Sequence, residues 1–259
     1  MSDPLSNIVE ITKPNLVIFL VVDCSGSMAD EGKMNSVNVA IKEALPILKG
    51  IGGSDSTVKL AVLKFSIGAE WLYSNLLNIE DFVWENVEPY GYTEFGAACD
   101  ALYEKMSRSA FMNSQAGYRK PVIILLSDGE PTDDYANSLK RLKSNAWYKV
   151  AYKIAIAVGD EDKSALSEFT GAPGNEGVFV VQDVTKLGDV LKATIITSSQ
   201  IGKNSRPVDF DVMGGTPSPD MEKADQEAEK EMWDTVGKVI EEAENPDVSV
   251  TDFVEEWVD

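Results

Sequence analysis

From Asn15 to Val22 the chain reads NLVIFLVV, apolar at every position after the first, and then stops on Asp23. A strand with one face in water alternates apolar and polar side chains. An unbroken apolar run instead marks a strand covered on both faces, the habit of a parallel sheet between helix layers. A second run repeats the pattern: Pro121 to Leu126, PVIILL, stops on Ser127 and Asp128. Together the two runs restrict the chain to an α/β architecture in which polar residues gather where the strands end.

The segments between them agree with that frame. Val37, Ile41, Ala44, Leu48 and Ile51 share one helical face, with Pro46 expected to kink it. TVKLAVLKFS and AEWLYSNLL flank Ile67 and Gly68, the pattern of a hairpin that puts an antiparallel strand at one edge. EFGAACDALYEKM predicts a helix with Ala97, Leu102 and Met106 inward, and Thr132 or Asp133 is expected to cap a further helix ending near Trp147. YKVAYKIAIAVGD predicts a strand, KSALSEFTG a short helix closed by Gly171, GVFVVQD a last strand and VTKLGDVLKATIITSSQIG a closing helix. The expected fold is α/β: a doubly wound, mostly parallel sheet of about six strands with one antiparallel edge strand and helices on both faces. Its ligand site belongs outside the carboxyl ends of the strands, near a topological switch point.

Composition divides the chain and narrows its chemistry. Residues 1–13 read as an N-terminal arm, 14–202 as the domain, 203–220 as a Pro-, Gly- and Ser-rich linker and 221–259 as an acidic tail. The tail carries an amphipathic helical pattern through Met221, Ala224, Ala228, Met232, Val236, Val239 and Ala243. The net charge is −20, about two-thirds of it after Pro207, which argues against nucleic acid and anionic membrane surfaces as partners. No apolar run is long enough to span a bilayer and no basic-then-apolar leader opens the chain, so a cytoplasmic address is expected. With no histidine, Ser-His-Asp and Cys-His catalysis and most zinc or copper sites are excluded. Cys24 and Cys99 are too few for a disulfide framework and are expected to be reduced and buried.

At the carboxyl edge three segments should meet. The first strand delivers Asp23, Ser25 and Ser27, the loop PYGYTEFG delivers Thr93, and the strand ending LLSDGEPT delivers Asp128. Two carboxylates and three hydroxyls, with no nitrogen or sulfur donor, suit a hard divalent cation. Gly26 lets the backbone turn tightly enough for Ser25 and Ser27 to point at one centre. Asp133 and Asp134 read as helix N-terminal residues, Ser127 as structural, and Trp71 and Tyr73 as half-buried edge-strand residues.

Asp23-Cys24-Ser25-Gly26-Ser27 resembles the DxSxS element of von Willebrand factor type A (VWA) domains, and the likeness extends from about Pro14 to Gly202. In that family DxSxS joins a distant Thr and a distant Asp in a metal-ion-dependent adhesion site (MIDAS), and Thr93 and Asp128 match those positions. The resemblance implies that Ser25, Ser27 and Thr93 coordinate Mg²⁺ or Mn²⁺ through their hydroxyls, with Asp23 and Asp128 acting largely through bound water. A protein partner would then supply a Glu or Asp carboxylate to the remaining position. Tyr92 departs from the pattern, standing where the family commonly has a glycine before the threonine. The wording SDGEPTDDY is similar to bacterial tellurium-resistance proteins of the TerY type, which implies a stress-response setting.

Two other functions compete. An Asp at the end of a first strand plus Mg²⁺ also describes phosphatases and phosphoryl-transfer enzymes, with Asp23 as nucleophile. Ser25 stands where a DxD motif would need its second acid, Lys120 lies at the wrong end of its strand, and there is no phosphate-binding glycine loop, so a non-enzymatic module is expected. A metal-free interaction domain is the third possibility. The tail reads as a solvated spacer, as a docking helix carrying Trp233, Phe253 and Trp257, or as a mask whose Glu255, Glu256 or Asp259 occupies the open metal position.

Overall fold

A computed structural model describes residues 13–208, apart from 52, 54 and 160–162, and residues 219–244. The run NLVIFLVVD forms β1 (Asn15–Asp23), buried at every position. It lies at the centre of a sheet with β2 (Thr57–Ser66) on one side and β6 (Val122–Ser127) on the other, both parallel to it. Next to β6 come β7 (Tyr152–Val158) and β8 (Val178–Val181), also parallel. Beyond β2 the chain turns at Ile67 and Gly68 into β3 (Gly68–Trp71), the antiparallel edge strand. The strand order is therefore β3-β2-β1-β6-β7-β8. Three two-residue strands lie off this path: β4 (Leu77–Asn78) on β2, and the pair β5 (Tyr118–Arg119) and β9 (Pro207–Val208) below β1.

The alternating side chains of β1 build two cores. Leu16, Ile18, Leu20 and Val22 pack with α1 (Lys33–Ile51) and α6 (Leu187–Asn204), while Val17, Phe19 and Val21 pack with α2 (Phe95–Lys105), α3 (Ala136–Ser144), α4 (Ala146–Val150) and α5 (Ser164–Thr170). The face Val37, Ile41, Ala44, Leu48 and Ile51 is buried, and α1 continues through Pro46. Gly171 ends α5 in the left-handed conformation, φ 67°.

Three local expectations are corrected. Leu102 and Met106 face inward as expected, but Ala97 is only half-buried; Phe95, Ala98 and Cys99 fill the core instead. The helix expected from Thr132 to Trp147 is two helices, because Asn145 leaves helical geometry and caps α4, its side chain accepting from the amides of Trp147 (2.8 Å) and Tyr148 (3.2 Å). Neither Thr132 nor Asp133 caps α3, which begins at Ala136.

The acidic helix α7 (Pro219–Glu244) is packed on the domain. Its apolar face, Met232, Trp233, Val236, Val239, Ile240 and Ala243, joins the same core as α1 and α6. The expectation that Trp233 awaits an outside partner is corrected: it is 6% exposed, and its indole donates to the Lys153 carbonyl at 2.9 Å. Two buried lysines at the amino ends of the strands pair with the same helix, Lys120 with Asp225 at 2.7 Å and Lys153 with Glu229 at 2.8 Å. Phe253, Trp257, Glu255, Glu256 and Asp259 lie outside the described residues. Among the described residues no helix is long and apolar enough to cross a membrane.

Candidate functional site

Where β1 ends, Asp23 has no exposed surface. One of its carboxylate oxygens accepts from the Ser25 amide at 2.8 Å and the other from the Ser127 hydroxyl at 2.5 Å. Burial is the main force on this group and pushes its pKa up to about 6, with the neighbouring Asp128 carboxylate raising it further against the pull of those donors. Ser127, which reads from sequence as merely structural, thus holds the first acid of the site.

The chain then doubles back. Gly26 donates its amide to the Gly91 carbonyl at 3.1 Å, and a side-chain carbon on Gly26 would meet that oxygen at 3.3 Å, a tight contact that favours glycine where the two loops approach. The turn sets the Ser25 and Ser27 hydroxyls 3.0 Å apart, and Ser27 donates to Asp128 at 2.8 Å. Thr93 enters from the opposite loop, 6% exposed. Its backbone is clamped by Thr132: the Thr93 amide donates to the Thr132 hydroxyl at 3.1 Å, and the Thr132 amide donates to the Thr93 carbonyl at 2.9 Å. Gly129 lies between the two banks, since a side-chain carbon built there would sit 3.7 Å from the Thr93 hydroxyl and 3.8 Å from that of Ser27. Asp133 caps the helix that follows Thr93 rather than its own, accepting from the amides of Gly96 (2.8 Å) and Ala97 (3.3 Å).

Asp23, Ser25, Ser27, Thr93 and Asp128 are therefore gathered at one edge of the sheet from three distant segments. Gly91 supplies a left-handed φ of 71° one position before Tyr92, which gives the Thr93 loop its turn despite the missing glycine at position 92. One residue was not foreseen. Lys33, the first of α1, reaches in to place its ammonium 2.7 Å from the second Asp128 oxygen. Its only sequence signal is a lysine opening a helix, the end where a cation is disfavoured by the helix dipole.

Cys24 points away from its neighbours into the core, 1% exposed, and burial pushes its thiol up to about 12. Cys99 is equally buried in the opposite core and its thiol is raised further for the same reason. Around the site Ile67, Tyr90 and Tyr92 are exposed, and Ile67 lies against Gly91.

The oxygen set fits a small hard cation. Octahedral ligands at about 2.1 Å from an ion stand about 3 Å from one another, close to the 3.0 Å separation of the Ser25 and Ser27 hydroxyls. Among the described residues no three Cys, Asp or Glu side chains gather into a metal-holding cluster, so an ion here would depend on the hydroxyls.

Comparison with known proteins bears on the fold. The family model for the von Willebrand factor type A domain matches residues 18–193. Among solved structures, a von Willebrand factor type A protein from Catenulispora acidiphila is 19% identical with a TM-score of 0.53, covering 72% of this chain and 43% of its own. Proximal thread matrix protein 1 from the mussel byssus, solved with a zinc-occupied MIDAS motif, is 20% identical with a TM-score of 0.53, over 73% of this chain and 48% of that one. The pilus adhesin SpaC from Lactobacillus rhamnosus GG is 14% identical with a TM-score of 0.55, over 72% of this chain and 31% of the adhesin. The chain thus matches between about a third and a half of the length of these proteins, and the likeness is one of fold. No curated protein sequence matches it.

Proposed function

The chain belongs to the von Willebrand factor type A family, and from that premise we propose that it is a metal-dependent protein-interaction module whose site is Asp23, Ser25, Ser27, Thr93 and Asp128. The observation that carries this reading is the gathering of two buried carboxylates and three hydroxyls, with no nitrogen or sulfur side chain able to ligate an ion among them, at the carboxyl edge of the sheet. Ser25, Ser27 and Thr93 would hold the ion through their hydroxyls, while Asp23 and Asp128 supply charge. Such a set favours Mg²⁺ or Mn²⁺, and the zinc in the mussel protein's motif supports a divalent occupant in this family.

Hydroxyls contribute little charge, so the ion keeps an appetite for a further carboxylate. A partner's Glu or Asp answers it, with the exposed Ile67, Tyr90 and Tyr92 as the surrounding contact surface. Asp23 argues against the phosphoryl-transfer alternative, because both of its oxygens are engaged and neither is presented as a nucleophile. A tellurium-resistance setting is supported by the wording of the loop from Ser127 to Tyr135.

The test is capture of binding proteins with Mg²⁺ and with EDTA, comparing wild type with Asp23→Ala, alongside calorimetric titration of Mg²⁺ alone. Metal binding and EDTA-sensitive capture, both lost in Asp23→Ala, are expected. Capture indifferent to EDTA would point to a metal-free interaction domain.

A further inference from the structure

Lys33 is set where it is by two successive left-handed residues, Glu31 at φ 54° and Gly32 at φ 76°. Glu31 gives up about 1–2 kcal/mol to adopt that conformation, and the lysine then stands at the unfavourable end of the dipole of α1. Both costs are met inside the site. The Lys33 side chain is 15% exposed, its ammonium 2.7 Å from an oxygen of the fully buried Asp128 side chain and 3.5 Å from the Ser27 carbonyl. The other Asp128 oxygen takes the Ser27 hydroxyl. The ammonium therefore engages two of the five residues to which the metal reading assigns the ion. Like charges a few ångströms apart in a buried site repel strongly, so ammonium and dication cannot both hold that edge. A lysine's long stem lets its head move to solvent without disturbing the helix start.

The geometry points to Lys33 as an intramolecular counter-ion that closes the metal-free site and must swing out when a divalent cation enters. This rests on the metal-binding reading and deepens it. One ammonium balances one of two buried carboxylates, whereas a dication balances both, so the exchange runs toward the metal while lowering its apparent affinity. Lys33 is in this sense a positioning residue that acts on the ion through Asp128, and it couples the first turn of α1 to occupancy.

The experiment is calorimetric titration of the full chain with MgCl₂, for wild type, Lys33→Met and Lys33→Gln, with melting curves in EDTA and in saturating Mg²⁺. Methionine keeps the apolar stem, and glutamine covers the case in which methionine prevents folding. The charge-free variants should bind Mg²⁺ about tenfold more tightly or better, melt below wild type in EDTA, and melt no lower than wild type with Mg²⁺. A lysine that only packed would lower both melting curves and leave affinity unchanged. Wild-type binding with unchanged or weakened affinity in the variants overturns the counter-ion role and leaves the metal reading standing. Absence of binding in wild type and variants alike overturns both.

Discussion

Lysines meet acids at both ends of the sheet, and the two ends keep different accounts. At the amino end, Lys120 and Lys153 are matched by Asp225 and Glu229, one turn apart on α7, with Arg206 joining Asp225. At the carboxyl end, Lys33 pairs with Asp128, while the buried Asp23 beside it accepts from the neutral Ser25 amide and Ser127 hydroxyl, and burial pushes its pKa up to about 6. The matched end fastens a helix. Among the described residues the unmatched end pairs Asp128 and leaves Asp23 to neutral donors, an imbalance that suits the proposed cation site.

The largest effect expected from this contrast follows removal of α7. Each well-buried side chain of its apolar face is worth about 1.5–3 kcal/mol, against a total stability of about 5–15 kcal/mol for a domain. A chain ending at residue 218 should show no cooperative melting transition by circular dichroism, whereas one ending at 244 keeps α7. Any test of masking by Glu255, Glu256 or Asp259 therefore has to cut after residue 244 rather than after Pro207. Neutralising the matched acids more gently, as Asp225→Asn with Glu229→Gln, should cost about 2 kcal/mol, between the values for exposed and buried pairs. Denaturant unfolding measures it.

At the unmatched end the sign reverses. The unfolded chain releases the Asp23 proton near pH 3.8, while the folded chain holds it to about 6. Between those values the folded state binds more protons, so this group's contribution to stability falls as pH rises through the window. Above it the loss amounts to about 3 kcal/mol. Asp23→Asn should therefore be the more stable protein at neutral pH without metal, with the gap to wild type closing as pH falls toward 4. Saturating Mg²⁺ should raise the wild-type melting temperature and leave the variant's unchanged. The smallest effect is expected at the rim: Ile67→Ala or Tyr92→Ala should move stability by no more than about 0.5 kcal/mol while weakening partner capture measurably.

The strand-end pattern made much of this legible. An apolar run that stops on Asp23, and another that stops on Ser127 and Asp128, read as central parallel strands, and parallel strands share one carboxyl edge. DxSxS then supplied three of the gathered residues and the family pattern supplied Thr93. What stayed hidden depends on contacts between segments far apart in the chain. Asp133 has the right chemistry for a helix cap, but the helix it caps is α2, some forty residues earlier. Trp233 looked like a side chain in search of a partner because the sequence does not say that α7 folds back over the sheet. Lys33 follows six residues after Ser27 with no motif of its own, and only the left-handed turn before it aims it at Asp128.

The two thiols have a practical use. With Cys24 and Cys99 sealed in opposite cores, and that of Cys24 pushed up to about 12, alkylating reagents and peroxide meet no thiolate until the fold opens. Labelling therefore acts as a stopwatch for opening on each side of the sheet. Cys24 lies directly beneath the Ser25–Ser27 turn, so an ion that ties that turn down should slow its clock while Cys99 keeps the same time.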